Sequence, residues 1–248
     1  MEDVIEALRS ERQELADLVG GLDEEGLGRP SRCDGWSVAD VLLHLAQTDE
    51  LAVASVRGDL SGALGLGDLG PAATIDDWAG AAVDAERTSD LTAARDRWLT
   101  WSARQIDAFE HCDPRARVQW VAGELAARTL ASTRLSETWI HSGDVAAGLG
   151  VEQTPTDRLW HIARLAHRTL PYAFARAGSE LHGEVAFVLR APSGAEWVFG
   201  DADAPTVVRG GAAELCAVAG QRRSAASTEL QASGPDAAAV FELVRTFA

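Results

Sequence analysis

Up to Gly150 the apolar residues recur at helical spacing, and beyond about residue 180 they gather in short β-prone runs. A chain patterned this way builds a helical layer first and a mixed layer after it. Residues 3–19 carry Val4, Ile5, Leu8, Leu15, Leu18 and Val19 on roughly one stripe that ends at Gly20-Gly21. Ser37 stands three residues before Asp40, a capping-box pattern that opens a helix running to about Arg57. The glycine-rich stretch from Gly58 to Pro71 reads as loop. Thr74 with Asp77 repeats the capping pattern and starts a helical region reaching about His111, with a break near Ser89 and a stop at Asp113-Pro114. A short β-prone VQWV precedes a long helical pattern from about Glu124 to Ala147.

The second part opens with one more helix, Thr156 to Ala177, whose regular course Pro171 is expected to bend or end. Glu184–Arg190, Glu196–Phe199 and Thr206–Arg209 then read as strands separated by turn residues. Helical Ala212–Ala219, a β-prone Ser227–Ala232 and a helix from Asp236 complete the pattern. The expected architecture is therefore α + (α+β) in two domains, 1–152 and 153–248, within a 248-residue chain long enough for both cores.

Charge narrows the partners. Acidic residues number 38 against 22 basic, a formal charge of -16. Phosphate recognition leaves a basic face, so nucleic acid and anionic membranes are not expected partners; a small molecule is. All 22 basic residues are arginine, which removes lysine Schiff-base and lysine-base mechanisms. Cys33, Cys112 and Cys216 are odd in number and widely spaced, and make no disulfide framework. An acidic amphipathic N-terminus is no signal peptide, and no apolar run approaches a membrane span, so a cytoplasmic location is expected. Oligomeric state is left open by the sequence.

Two histidines and a glutamate carry the chemistry. Glu137 and His141 are four residues apart on a strongly helical segment, offset by about 40° and so facing the same way. Leu130, Arg134 and Asp144 share that stripe. His44 shares a stripe with Val41, Thr48 and Leu51 and therefore looks inward among apolar neighbours. Ligands on facing helices are a usual way to place a metal in a bundle core. Two His and one Glu leave coordination positions free, the mark of a catalytic site. Asp144, one turn beyond His141, suits a carboxylate that accepts the other ring N–H. The same spacings also serve a surface Glu–His hydrogen bond and a hydrogen-bonded core histidine, and the residues alone leave both readings open. Trp36 and Trp139 read as packing residues, and Cys33 as a small buried residue whose loop could bring it to the site. Arg134 is placed to pair with Glu137 and orient it. Arg209, Arg222 and Arg223 are candidates for holding a carboxylate substrate, or else for surface ion pairs.

The segments DGWSVADVLLHLAQTDE and RLSETWIHSGDVAAGLG resemble the DinB-like metal-binding bundles, and more closely the mycothiol-dependent maleylpyruvate isomerase family of actinobacteria. EWVFGDADAPTVVRGGAAELCAVAG and GPDAAAVFELVRTFA resemble that family's C-terminal α+β domain. The resemblance implies a four-helix bundle followed by a small α+β domain, with His44, Glu137 and His141 binding a divalent metal. Zinc is the first expectation; nickel, iron(II) and cobalt are alternatives. It also implies mycothiol as co-substrate and places Asp144 at the family's following Asp; Asp144 and, from among the arginines that could hold a carboxylate, Arg222 are the expected catalytic residues. The function expected is a metal-dependent isomerase or thiol S-transferase acting on a small carboxylate or carbonyl compound. A hydrolase, lyase or cyclase without a thiol, and a non-catalytic metal- or ligand-binding protein, are the alternatives.

Overall fold

The computed structural model describes residues 1–60, 75–121 and 123–246; the Gly-rich loop expected at 58–71 lies largely outside them. They form two compact units, Met1–Gln153 and Thr154–Ala248.

The first unit contains α1 (Glu2–Val19), α2 (Glu24–Leu27), α3 (Val38–Arg57), α4 (Ile75–Glu86), α5 (Leu91–Glu110), a hairpin of β1 (Arg117–Trp120) and β2 (Gly123–Ala126), and α6 (Ala127–Leu149). Helix α3 begins as its sequence requires: Ser37 Oγ accepts from Asp40 N–H while the Asp40 carboxylate accepts from Ser37 N–H. The break near Ser89 is real, and Asp90 caps α5 through Ala93 N–H. Helix α6 starts later than its pattern suggests. Gly123–Ala126 instead pairs antiparallel with Arg117–Trp120, and Arg117 Nε donates to Glu124 Oε1 at 2.7 Å. The tight turn requires Gly123, at φ +112°.

Helices α1, α3, α5 and α6 pack on one another around Leu15, Val19, Leu42, Leu45, Trp98 and Val145. A polar group crosses this core. Arg12 donates to Ser102 O (2.8 Å), Asp49 Oδ1 (2.7 Å) and Gln105 Oε1 (2.5 Å). Arg134 reaches the same Asp49 oxygen at 3.2 Å and Thr48 Oγ1 at 2.8 Å. Arg12 continues the stripe of Leu8 and Leu15, an arginine at a core position. Burial pushes its guanidinium down to about 10, Asp49 opposing and Arg134 adding, so it stays charged at neutral pH.

The second unit holds α7 (Leu159–Arg176), β3 (Val185–Arg190), β4 (Glu196–Phe199), β5 (Thr206–Gly211), α8 (Ala212–Ala219), β6 (Gln231–Ser233) and α9 (Ala237–Leu243). The sheet runs β4-β3-β5-β6; only the β3–β5 pair is parallel. Pro171 does not end α7. The helix continues to Arg176, with Ala173 and Phe174 buried beyond Pro171. Burying a Phe contributes about 1.5–3 kcal/mol, of the order of the roughly 3 kcal/mol a mid-helix proline costs. The first unit is thus helical apart from its hairpin, and the second is α+β. Among the described residues no helix is long and apolar enough to cross a membrane.

Candidate metal centre

Helix α6 is buried nearly all round, and its face toward α3 presents Arg134, Glu137, His141 and Asp144 in successive turns. Helix α3 presents His44 to them from a stripe on which Val41, Thr48 and Leu51 are likewise buried. His44 Nε2 lies 2.8 Å and His141 Nε2 3.3 Å from the same oxygen, Glu137 Oε1. The three donor atoms all lie within 4.8 Å of one another, and all three residues are buried. Such spacings suit atoms that bind one ion at about 2.0–2.2 Å, and the donor set, two imidazoles and a carboxylate, suits zinc or a neighbouring divalent metal.

Asp144 stands behind this group. Its Oδ2 accepts from His141 Nδ1 at 3.0 Å, on the ring edge away from Glu137, while the Cys33 thiol donates to the same oxygen at 3.2 Å. Cys33 Sγ also lies 3.9 Å from His141 Nδ1. Cys33, whose loop could bring it to the site on the sequence reading, does lie beside the candidate centre. Its loop is seated on α6: Arg32 N–H donates to Asp144 O at 3.1 Å. Gly148 permits that approach, since a Cβ there would come within 2.3 Å of Pro30 O. The signal available in the sequence was a glycine late in α6, which has no meaning until the loop is placed.

His44 is held differently. Its Nδ1 is buried with no hydrogen-bond partner among the described residues. The ring is fixed by the Nε2 contact with Glu137 and by packing, with Trp36 at 5.3 Å and His141 at 4.9 Å between ring centroids. Trp36 therefore walls the group, whereas the peptide oxygen of Trp139 accepts from Gln153.

The electrostatics of the protein groups follow from burial against pairing. Burial lowers the His44 imidazole below its ordinary value, the Glu137 hydrogen bond opposing and the His141 charge adding to the fall. Burial works against ionisation of Glu137. Hydrogen bonds from His141 and His44 and the nearby positive charges outweigh it and hold the carboxyl well below its usual range. For His141, burial is again outweighed, by Asp144, Cys33 and Glu137, and its value stands well above the ordinary one.

Arg134 does not orient Glu137 by a hydrogen bond, as its position suggests. Its guanidinium turns to Thr48 and Asp49, and it acts on Glu137 and His44 through its charge. In the second unit Arg222 lies just beyond the end of α8, where its Nη1 donates to Gly220 O at 3.1 Å. Arg223 pairs with Glu214 and Ser227 O, and Arg209 is exposed on β5.

The profile of the mycothiol maleylpyruvate isomerase N-terminal domain matches residues 8–146, more than half of the chain. The chain belongs to that family. Two curated relatives, uncharacterized proteins from two strains of Mycobacterium tuberculosis, are each 32% identical over 244 residues, covering 97% of this chain and 93% of theirs. Among solved structures, a mycothiol-dependent maleylpyruvate isomerase superposes with a TM-score of 0.64 at 19% identity, covering 94% of this chain and 92% of that one. A single-substitution variant of that isomerase gives 0.62 at the same identity and coverage. At this identity the likeness is one of fold: a helical N-terminal part followed by a C-terminal α+β part.

Proposed function

We propose that the chain is a metal-dependent enzyme of the isomerase or thiol-transferase type, with His44 Nε2, Glu137 Oε1 and His141 Nε2 holding a divalent ion, zinc first among the candidates. The observation that carries this reading is the convergence of those three buried donors within 4.8 Å. The family supports mycothiol as the co-substrate, and maleylpyruvate, the substrate named for the solved fold relative, is the first small keto acid to test.

When bound, the ion supplies Lewis acidity, which lowers the pKa of a thiol and polarises a carbonyl. The remaining work falls to the chain. Glu137 offers one oxygen to the space between two imidazoles, and its ionised form is favoured there. Asp144 holds the proton on His141 Nδ1, which leaves Nε2 free as a donor atom toward a metal. The Cys33 thiol holds Asp144 in turn. Trp36 shields His44 from water. Arg222 is assigned the substrate carboxylate, since a guanidinium matches a carboxylate bidentately. The helical unit is read as the DinB-like bundle that carries the ion.

Elemental analysis of the native protein beside His141→Ala tests the centre. The expected result is about one zinc per chain, lost in the variant, together with turnover that requires added thiol. A native protein that holds no metal and gains none on titration removes the reading altogether. Metal-dependent turnover without a thiol would instead establish the hydrolase, lyase or cyclase alternative.

A further inference from the structure

The core charge group described above does not balance. One carboxylate, Asp49, faces two guanidiniums, Arg12 and Arg134, and all three residues are buried. Asp49 Oδ2, Arg12 Nε and Arg134 Nε have no hydrogen-bond partner among the described residues. Of the other buried acids among the described residues of the unit, Asp40 is engaged with Ser37 and Arg87, Asp144 with His141 and Cys33, Glu11 with Gln153, and Glu137 belongs to the candidate ligand set. The Arg12–Asp49–Arg134 group itself therefore carries one net positive charge beside that set.

Its place is fixed by Arg134. On α6 this residue stands one turn before Glu137, so the two side chains are neighbours on one face. Across the core it donates to Thr48 Oγ1, and Thr48 donates to the peptide oxygen of His44 at 3.0 Å. Arg134 is thus tied to the helical turns that carry two of the three candidate ligands. In a buried setting a unit charge at such a separation is screened far less than in water.

We propose that Arg134 sets the ligand preference of the centre: the surplus positive charge of the Arg12–Asp49–Arg134 group favours an anion, such as a thiolate, at the coordination position the protein leaves open. Arg134 is a positioning residue in this scheme, acting through the electrostatics of the site without touching substrate. The proposal rests on the reading of His44, Glu137 and His141 as metal ligands, and it explains how a chain without lysine makes a buried centre receptive to anions.

The test uses the full chain loaded with cobalt(II), whose visible absorption reports the ligand set. Azide, an anion, and imidazole, a neutral donor, are titrated at one fixed pH into wild type, Arg134→Gln, Arg134→Lys and Asp49→Asn. Arg134→Gln is expected to weaken azide relative to imidazole by about tenfold, the order of one buried charge at a helical turn's distance. Arg134→Lys should keep the wild-type ratio, and Asp49→Asn should shift it the opposite way, toward azide. A merely structural role would weaken both ligands together. A ratio unchanged in Arg134→Gln, or moved in the same direction by Arg134→Gln and Asp49→Asn, overturns the proposal. Should Arg134→Gln fail to fold, Arg134→Lys and Asp49→Asn decide it: the ratio kept in the first and raised toward azide in the second supports it, and any other pattern overturns it. Wild type that takes up no cobalt sinks the metal reading and this inference with it. Wild type that binds cobalt and azide with no dependence on residue 134 sinks this inference alone.

Discussion

His141 is gripped on both ring edges, by Glu137 on one and by Asp144 with Cys33 on the other, whereas His44 is gripped on one edge, by Glu137, and otherwise by packing. The two imidazoles should therefore respond differently to their surroundings. Replacing Asp144 by Asn leaves the helix intact but weakens its hold on the His141 ring. Zinc affinity, read by competition with a chromophoric chelator, is expected to fall by about 10–100-fold, the usual effect of losing such a partner. Unchanged affinity would show that packing alone orients His141. At this scale the inward placement of His44, Glu137 and His141 was legible in the sequence, because their helical spacing put them on inward stripes. The Arg12–Asp49 pair was not, and of Cys33 only an approach of its loop to the site was readable, not its contact with Asp144. Arg12 occupies a stripe position between Leu8 and Leu15, but its counter-ion lies 37 residues away on another helix. Cys33 sits in a loop whose course no periodicity describes.

The helices that carry the centre are fixed by local signals of unequal clarity. The Ser37–Asp40 capping box was readable directly, and it sets where α3 starts and hence which face His44 occupies. Ser37→Ala removes the side-chain cap and is expected to cost about 1 kcal/mol in chemical denaturation. A midpoint equal to wild type would show that packing alone fixes the start of α3. The start of α6 was misread because Gly123–Ala126 continues an apolar pattern compatible with either structure, and the pairing with Arg117–Trp120 decides it. Helix α6 also buries Leu135, Ser136, Thr138, Ile140 and Ser142, which a single-stripe reading leaves outside. Small and hydroxyl-bearing side chains allow neighbours to close on every side, so amphipathicity is weak where burial is greatest. In α7, His167 donates from Nε2 to Val185 O at 2.8 Å, tying helix to sheet. Burial holds its pKa below 6.5, the Val185 carbonyl opposing and Arg164 adding to the fall. The unfolded chain then binds the proton more readily. The contribution of His167 is full above about pH 6.5 and is lost as the pH falls through the depressed value. A His167→Gln variant should show a flatter stability profile across that window, measured by denaturant midpoint against pH. An unaltered slope would assign the dependence to other groups.

For the molecule as a whole, a metal that binds only the folded helical unit must stabilise that unit by mass action. With free zinc at a hundred times its dissociation constant, the gain is about 2.7 kcal/mol. Calorimetry of the full chain should show the melting of one unit rising with zinc and falling with chelator. Coincident movement of every transition would mean that the two units unfold together. The order of structure, helical first and α+β after, was evident from the change of periodicity, because helices and strands write different periods into the chain. Which side chains of distant helices share one carboxylate was not, since nothing local records a tertiary pairing.

The Arg12–Asp49–Gln105–Arg134 group draws one member from each of α1, α3, α5 and α6. Its bonds close only when all four helices are docked, and a chain with three in place leaves a guanidinium or a carboxylate desolvated and unpaired. The group thus opposes near-native arrangements in which one helix has slipped by a turn. Because it needs all four helices docked, the group is expected to form late, so that substitutions within it hasten unfolding and leave the refolding rate almost unchanged; a slowed refolding limb in stopped-flow kinetics would place it in the folding nucleus. The lifetime of the folded state, more than its rate of formation, is what these four residues govern.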